Sequence, residues 1–83
     1  MKYVLYIIPN CQECTKIKSF LDSKRINYEE VNAGIGEGKE RFRDLFRNHR
    51  GQIERDDQGQ IILPILVGGS NILQGLEKIT SSL

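Results

Sequence analysis

The chain has 83 residues, 12 basic and 11 acidic side chains, a formal charge of +1, 39% hydrophobic residues, two cysteines and no tryptophan. That length allows one domain over residues 1–83, with a small core that removes only about 60% of the unfolded surface from water. The composition is globular rather than disordered, and the balanced charge gives no support to a charge-driven nucleic-acid or membrane surface.

Tyr3–Ile8 is an apolar run closed by Pro9, and its β-branched and aromatic residues predict a buried central strand. It is too short to cross a membrane, and no plausible cleavage site follows it. Neither a transmembrane span nor a signal peptide is expected, and the cytoplasm is the expected compartment. Asn10–Glu13 reads as a helix start, with Asn10 as N-cap and Glu13 as its capping-box partner. Cys14, Ile17, Phe20 and Leu21 share one face of that helix. Lys16, Lys18, Asp22 and Ser23 cover the opposite face, where the two lysines are solvated and able to steer an anionic substrate. Lys24 and Arg25 sit where a helix C-terminus favours cations.

A weak alternation over Ile26–Val31 predicts a second strand. Ala33–Gly38 is a glycine-rich connection whose spacing does not match a phosphate-binding fingerprint. A second helix is expected over about 37–50, with Phe42, Leu45, Phe46 and His49 as its stripe and Gly51 as its stop. Gln52–Arg55 and Gln60–Leu63 flank the polar turn Asp56–Gly59 as a hairpin. Pro64 breaks the second arm, Ile65–Val67 resumes as strand, and Gly68–Asn71 is a turn. Ile72–Gln74 is a short last strand, and Gly75 opens a terminal helix with Leu76, Ile79 and Leu83 pointing inward. The expected order is β-α-β-α-(β)-β-β-α, with no internal repeat.

Cys11-Gln12-Glu13-Cys14 carries the chemistry. A loop this short removes little entropy from the unfolded chain, so the pair serves reactivity or metal binding, not stability. Cys11 at a helix start faces the partial positive charge of the helix, which lowers a thiol pKa from about 8.5 toward 7. Cys14, one turn on and on the apolar face, should be more buried and less nucleophilic. A thiolate backed by a second thiol is what reversible disulfide exchange requires. Glu13 adds a negative charge beside Cys11, which disfavours the thiolate and makes the couple more reducing. A zinc site needs four donors, and His49 is the sole histidine. The alternative is therefore a dimeric iron–sulfur or zinc-binding carrier that uses Cys11 across two subunits.

The order of strand, Pro9-x-Cys-x-x-Cys, amphipathic helix, Tyr28-Glu29-Glu30-Val31 strand, helix, Leu63-Pro64-Ile65-Leu66-Val67-Gly68-Gly69 and a final Gly75-Leu76 helix resembles the glutaredoxins. The resemblance covers nearly the whole chain. It implies an α/β thioredoxin fold: a central mixed sheet flanked by three helices, with an added hairpin arm, Gln52–Leu63, before a cis-proline at Pro64. It also implies that the Leu63 backbone faces Cys11 and pairs with a bound thiol substrate. The Gly68–Gly69 turn and the Gly75-Leu76-Glu77 helix start would then lie beside the same groove, which in glutaredoxins receives the γ-glutamyl end of glutathione.

The implied activity is reduction of protein or glutathione mixed disulfides by a Cys11/Cys14 dithiol that donates electrons. Cys11 and Cys14 are its catalytic residues. Gln12, Glu13, Leu63, Pro64, Gly75, Leu76 and Glu77 line the substrate groove, and no residue is a metal ligand. The implied partners of this monomer are disulfide-containing proteins and a reductant, either glutathione or a flavoprotein reductase, with no nucleic acid, membrane or tightly bound cofactor. Three departures bear on this. Gln12-Glu13 replaces the family's usual Pro-aromatic pair, and Leu73–Glu77 replaces Gly-Gly-Cys-Asp-Asp, leaving Glu77 alone for the aspartates. The Gln52–Leu63 arm is longer than the minimal fold needs, and its Arg55-Asp56-Asp57 tip is a candidate selector of a protein partner. Gln74-Gly75-Leu76 looks closer to the Ser-Gly-Phe of glutaredoxin-like donors reduced by thioredoxin reductase.

Overall fold

The computed structural model describes residues 3–69 and 71–83. Its elements are β1 (Tyr3–Ile7), α1 (Gln12–Ser23), β2 (Tyr28–Asn32), α2 (Gly36–Asn48), β3 (Ile65–Gly68), β4 (Asn71–Gln74) and α3 (Leu76–Ser82). The strands form one sheet in the order β2-β1-β3-β4. β2 runs parallel to β1, with Val31 opposite Tyr6. β3 runs antiparallel to β1, with Leu66 opposite Leu5 and Ile65 opposite Tyr6, and β4 runs antiparallel to β3.

Successive strand residues point to opposite faces, and this alternation splits the core into two layers. Leu5, Ile7 and Leu66 pack against Cys14, Ile17 and Leu21 of α1 and Ile79 of α3. Tyr6, Val31 and Ile65 pack on the other face against Leu45 of α2 and Ile53 of the arm. The Tyr6 and Phe42 rings meet with centroids 5.9 Å apart. The cysteines therefore belong to the α1/α3 layer, and the arm to the α2 layer. No helix among the described residues is long and apolar enough to cross a membrane.

Several element boundaries differ from the sequence expectation for local reasons. β1 stops at Ile7, and Ile8 is 38% exposed. Ile26 is not a strand residue: Arg25 adopts a left-handed φ of 56°, and Ile26 N–H then donates to Leu21 C=O at 3.0 Å, closing α1. The Ala33–Gly38 segment is not an open connection, because α2 already begins at Gly36. Gly38 lies in its first turn, where an added Cβ would strike the Asn32 backbone carbonyl at the end of β2. Glycine here lets the helix start directly against the strand. α2 ends at Asn48, and His49 is its C-cap.

The Gln52–Leu63 arm is a hairpin, but its two sides are not strands. Its ladder is reduced to the single bridge Arg55–Ile61. Asp56 N–H donates to Gln60 C=O at 2.8 Å, and Ile62 N–H donates to Glu54 C=O at 3.3 Å. Most of its side chains are polar and exposed, so burial supports the ladder at only a few points. Ile53 is one anchor, buried in the α2 layer. Arg55 is another: its guanidinium sits 5.3 Å from the Phe46 ring centroid and donates to Gly59 C=O at 2.7 Å. Ser70, within the expected Gly68–Asn71 turn, lies outside the described residues.

Candidate active site

The chain leaves β1 through Pro9 and Asn10, and Asn10 takes a left-handed φ of 61°. That turn brings Cys11, rather than Asn10, to the N-cap of α1 in extended geometry, φ −105° and ψ 110°. Its Sγ accepts the Cys14 N–H at 3.1 Å. The expected capping box does not form. With Cys11 as cap, Glu13 is the second helical residue, one short of the third position from which a carboxylate reaches back. Glu13 is exposed.

Cys11 and Cys14 are joined by a disulfide, with their Cα atoms 5.2 Å apart. Cys11 is half-buried, whereas Cys14 is 2% exposed within the α1/α3 layer. Cys11 is therefore the more accessible member of the pair. In the reduced protein, an amide donated to the Cys11 sulfur and the helix dipole both favour negative charge there.

Two clefts flank the cysteine turn. One of ≈ 480 Å³ is bounded by Pro9, Asn10, Cys11, Gln12 and Lys18. Lys18 pairs with Glu30 of β2 at 3.4 Å, so it is not the freely solvated cation expected, while Lys16 is exposed. The second cleft, of ≈ 500 Å³, is bounded by Glu13, Ile62, Gln74, Gly75, Leu76 and Glu77. Of the residues expected at the groove, Glu13 of α1 and Gly75, Leu76 and Glu77 at the start of α3 line this second cleft together.

Leu63–Pro64 is a cis peptide, and Pro64 is fully buried. Pro64 C=O accepts the Gly75 N–H at 2.9 Å. Gly75 has φ 89° at the N-cap of α3, a conformation that glycine adopts without steric cost. The Leu63 side chain packs on the α2 layer, and its backbone N–H and C=O make no hydrogen bond among the described residues.

The Gly68–Gly69 turn is not beside this groove. β3 runs antiparallel to β1, so Ile65 lies opposite Tyr6 near the cysteines and Val67 lies opposite Val4. Gly68 is carried about 10 Å away along the strand, to the Tyr3 end of the sheet, where an added Cβ would enter the Tyr3 ring. Sequence reasoning also passed over Gln74. Its carboxamide is buried and bonded to the arm on both sides of the hairpin. The available signal was a polar residue closing the apolar Ile72-Leu73 pair just before Gly75. Among the described residues, no three His, Cys, Asp or Glu side chains gather to hold a metal ion.

Because Glu13 makes no capping hydrogen bond, its removal leaves the Cys11 cap of α1 in place and takes away only a first-turn charge near Cys11. A negative charge near a thiolate destabilises the reduced state, and that makes the potential more negative. Glu13→Gln is expected to raise the potential by up to about 30 mV, less at high salt. A redox titration against glutathione reads this directly, and a shift to more negative values would contradict it.

A family model described as glutaredoxin matches residues 3–51, more than half of the chain, and takes in β1, both cysteines and α1 through α2. No curated protein matches the chain. Among solved structures, the NrdH-redoxin of Escherichia coli superposes with a TM-score of 0.65 at 19% identity, covering 100% of this chain and 95% of its own. Glutaredoxin 1 of Francisella tularensis, solved with cacodylate, gives 0.69 at 16% identity, over 98% of this chain and 90% of its own. The glutaredoxin of Archaeoglobus fulgidus gives 0.65 at 22% identity, over 95% and 82%. At such identities the superpositions establish the thioredoxin fold, and the family model adds the lineage. A buried cysteine behind a half-buried one, at a helix start in that fold, is the dithiol of a disulfide-exchange enzyme: the chain belongs to the glutaredoxin family of thiol–disulfide oxidoreductases.

Proposed function

We propose that the protein donates electrons to disulfide-bonded proteins through a dithiol cycle in which Cys11 attacks. The carrying observation is the asymmetry of the pair: Cys11 is half-buried with an amide on its sulfur, and Cys14 is shielded in the core. The Cys11 thiolate attacks one substrate sulfur, the substrate S–S bond breaks, and the departing sulfur leaves as a thiolate that takes up a proton. Cys14, deprotonated, then attacks the Cys11 sulfur. This releases the second substrate thiolate and leaves the Cys11–Cys14 disulfide, two electrons having passed to the substrate. The substrate backbone pairs along Leu63, whose N–H and C=O are both unbonded among the described residues. Gln12, Glu13, Leu76 and Glu77 flank it, with Pro64 and Gly75 holding the wall. The enzyme works as a monomer in the cytoplasm.

A flavoprotein reductase resets the pair more readily than glutathione does. Glu13, Glu77 and Lys78 line the cleft beside Gly75, and the excess of carboxylate there disfavours the anionic glutathione. The NrdH-redoxin of similar fold has a thioredoxin-like activity profile, which supports the same choice. Reduction of the oxidised protein by thioredoxin reductase and by glutathione, measured side by side, tests this. Faster reduction by glutathione would overturn it.

The arm adds partner selection, since it leads directly into Leu63 and Pro64. Its tip is internally fixed at Arg55 and at Asp56, whose Oδ1 accepts from Gln58 N–H at 2.9 Å and Gln60 N–H at 3.0 Å. Those two hold the turn, and Asp57 is the exposed charge left to meet a partner. Asp57→Ala is expected to slow reduction of a protein disulfide that uses the arm and to leave 2-hydroxyethyl disulfide untouched. Arg55→Ala is expected to loosen the arm as well, visible as faster amide exchange over 55–61. Equal slowing of both substrates by Asp57→Ala would count against partner selection.

A further inference from the structure

Gln74 is the one buried polar residue among the described residues, at 7% exposure. A buried carboxamide carries two donors and an acceptor that must all find partners. Here the arm supplies them: Oε1 accepts Glu54 N–H at 2.7 Å, and Nε2 donates to Glu54 C=O at 3.0 Å and to Ile62 C=O at 3.2 Å. The next residue, Gly75, donates its N–H to Pro64 C=O at 2.9 Å. Consecutive residues at the end of β4 thus grip the carbonyls on either side of Leu63. Leu63 itself keeps its N–H and C=O free of partners among the described residues.

We propose that Gln74 is a positioning residue for disulfide exchange: through Ile62 it holds the Leu63 backbone where an incoming substrate strand pairs beside Cys11. The Gly75 bond fixes only the Pro64 side. On the Ile62 side the arm has a single ladder bridge of its own, so the carboxamide ties that side to the sheet. Without its two donations, the 62–63 backbone gains conformers that substrate pairing must freeze out again. The cost falls on substrates long enough to pair, and not on those that meet Cys11 alone.

This inference rests on the proposed pairing along Leu63, and the test separates the two. Gln74→Glu keeps the shape and the acceptor for Glu54 N–H, but loses both donations; Gln74→Met removes every polar bond at similar volume. Each variant is assayed with a short peptide carrying a central cysteine as a mixed disulfide, with the same peptide N-methylated at the amides flanking that cysteine, and with 2-hydroxyethyl disulfide. Wild-type protein is expected to favour the plain peptide over the methylated one by about tenfold in kcat/KM, the cost of one lost hydrogen bond. In both variants that preference collapses toward unity as KM for the plain peptide rises. Turnover of 2-hydroxyethyl disulfide and alkylation of Cys11 by iodoacetamide stay within about twofold of wild type. A wild-type enzyme indifferent to methylation would defeat the pairing itself, and this inference with it. Full preference retained in the folded variants would overturn the role of Gln74 alone. So would an equal loss on all three substrates, or failure of both variants to fold, because either makes Gln74 a structural residue.

Discussion

Cys11→Ser is expected to abolish disulfide exchange, because the other thiol is 2% exposed and cannot meet a substrate. Cys14→Ser is expected to leave the first attack intact and block the second, so mixed disulfides accumulate on Cys11. Hydroxyl for thiol is nearly isosteric, and neither variant should disturb the sheet. Mass spectrometry after incubation with a disulfide-bonded protein reads both outcomes: no adduct in the first variant, a stoichiometric one in the second. Alkylation rates give an independent check. Cys11 in the reduced wild-type protein should react faster than Cys14 by orders of magnitude, since reactivity follows thiolate character and access. Faster labelling of Cys14 would reverse the roles.

Gly38→Ala should destabilise the fold by on the order of 3 kcal/mol, the upper part of the overpacking range. In an exposed helix interior the same change is stabilising, because alanine is the better helix former. Here the new Cβ would collide with the Asn32 carbonyl, a backbone atom at the end of β2 that cannot swing aside as a side chain would. Relief requires α2 to move off the sheet, and that strains the packing of Leu45 on Tyr6 and Val31. Gly51→Ala is the control: its Cβ would meet nothing within 4 Å. Denaturant midpoints of the two variants should differ clearly, and equal midpoints would contradict the close approach.

Sequence alone determined the parts of this protein that depend on neighbours along the chain. The apolar run from Tyr3, the helical stripe through Cys14, Ile17 and Leu21, and the Cys-x-x-Cys at a helix start are all short-range patterns. Their periods of two and 3.6 residues are set by backbone geometry. From them followed the element order, the more and the less accessible members of the cysteine pair, and a family resemblance that also located the cis-proline.

What the tertiary structure decided lies where distant segments compete for one place. The N-cap moved from Asn10 to Cys11 because the exit from β1 turns through a left-handed residue, which capping preferences do not register. Gly38 closed the glycine-rich segment and fell at the start of the expected helix, but only the contact with Asn32 shows why that position must be glycine. Gly68–Gly69 left the groove because an antiparallel strand keeps only one of its ends near β1's exit. Gln74 found its partners in Glu54 and Ile62, 20 and 12 residues away along the chain. No local pattern encodes those bonds, since a buried carboxamide is satisfied by whichever backbone the fold brings to it.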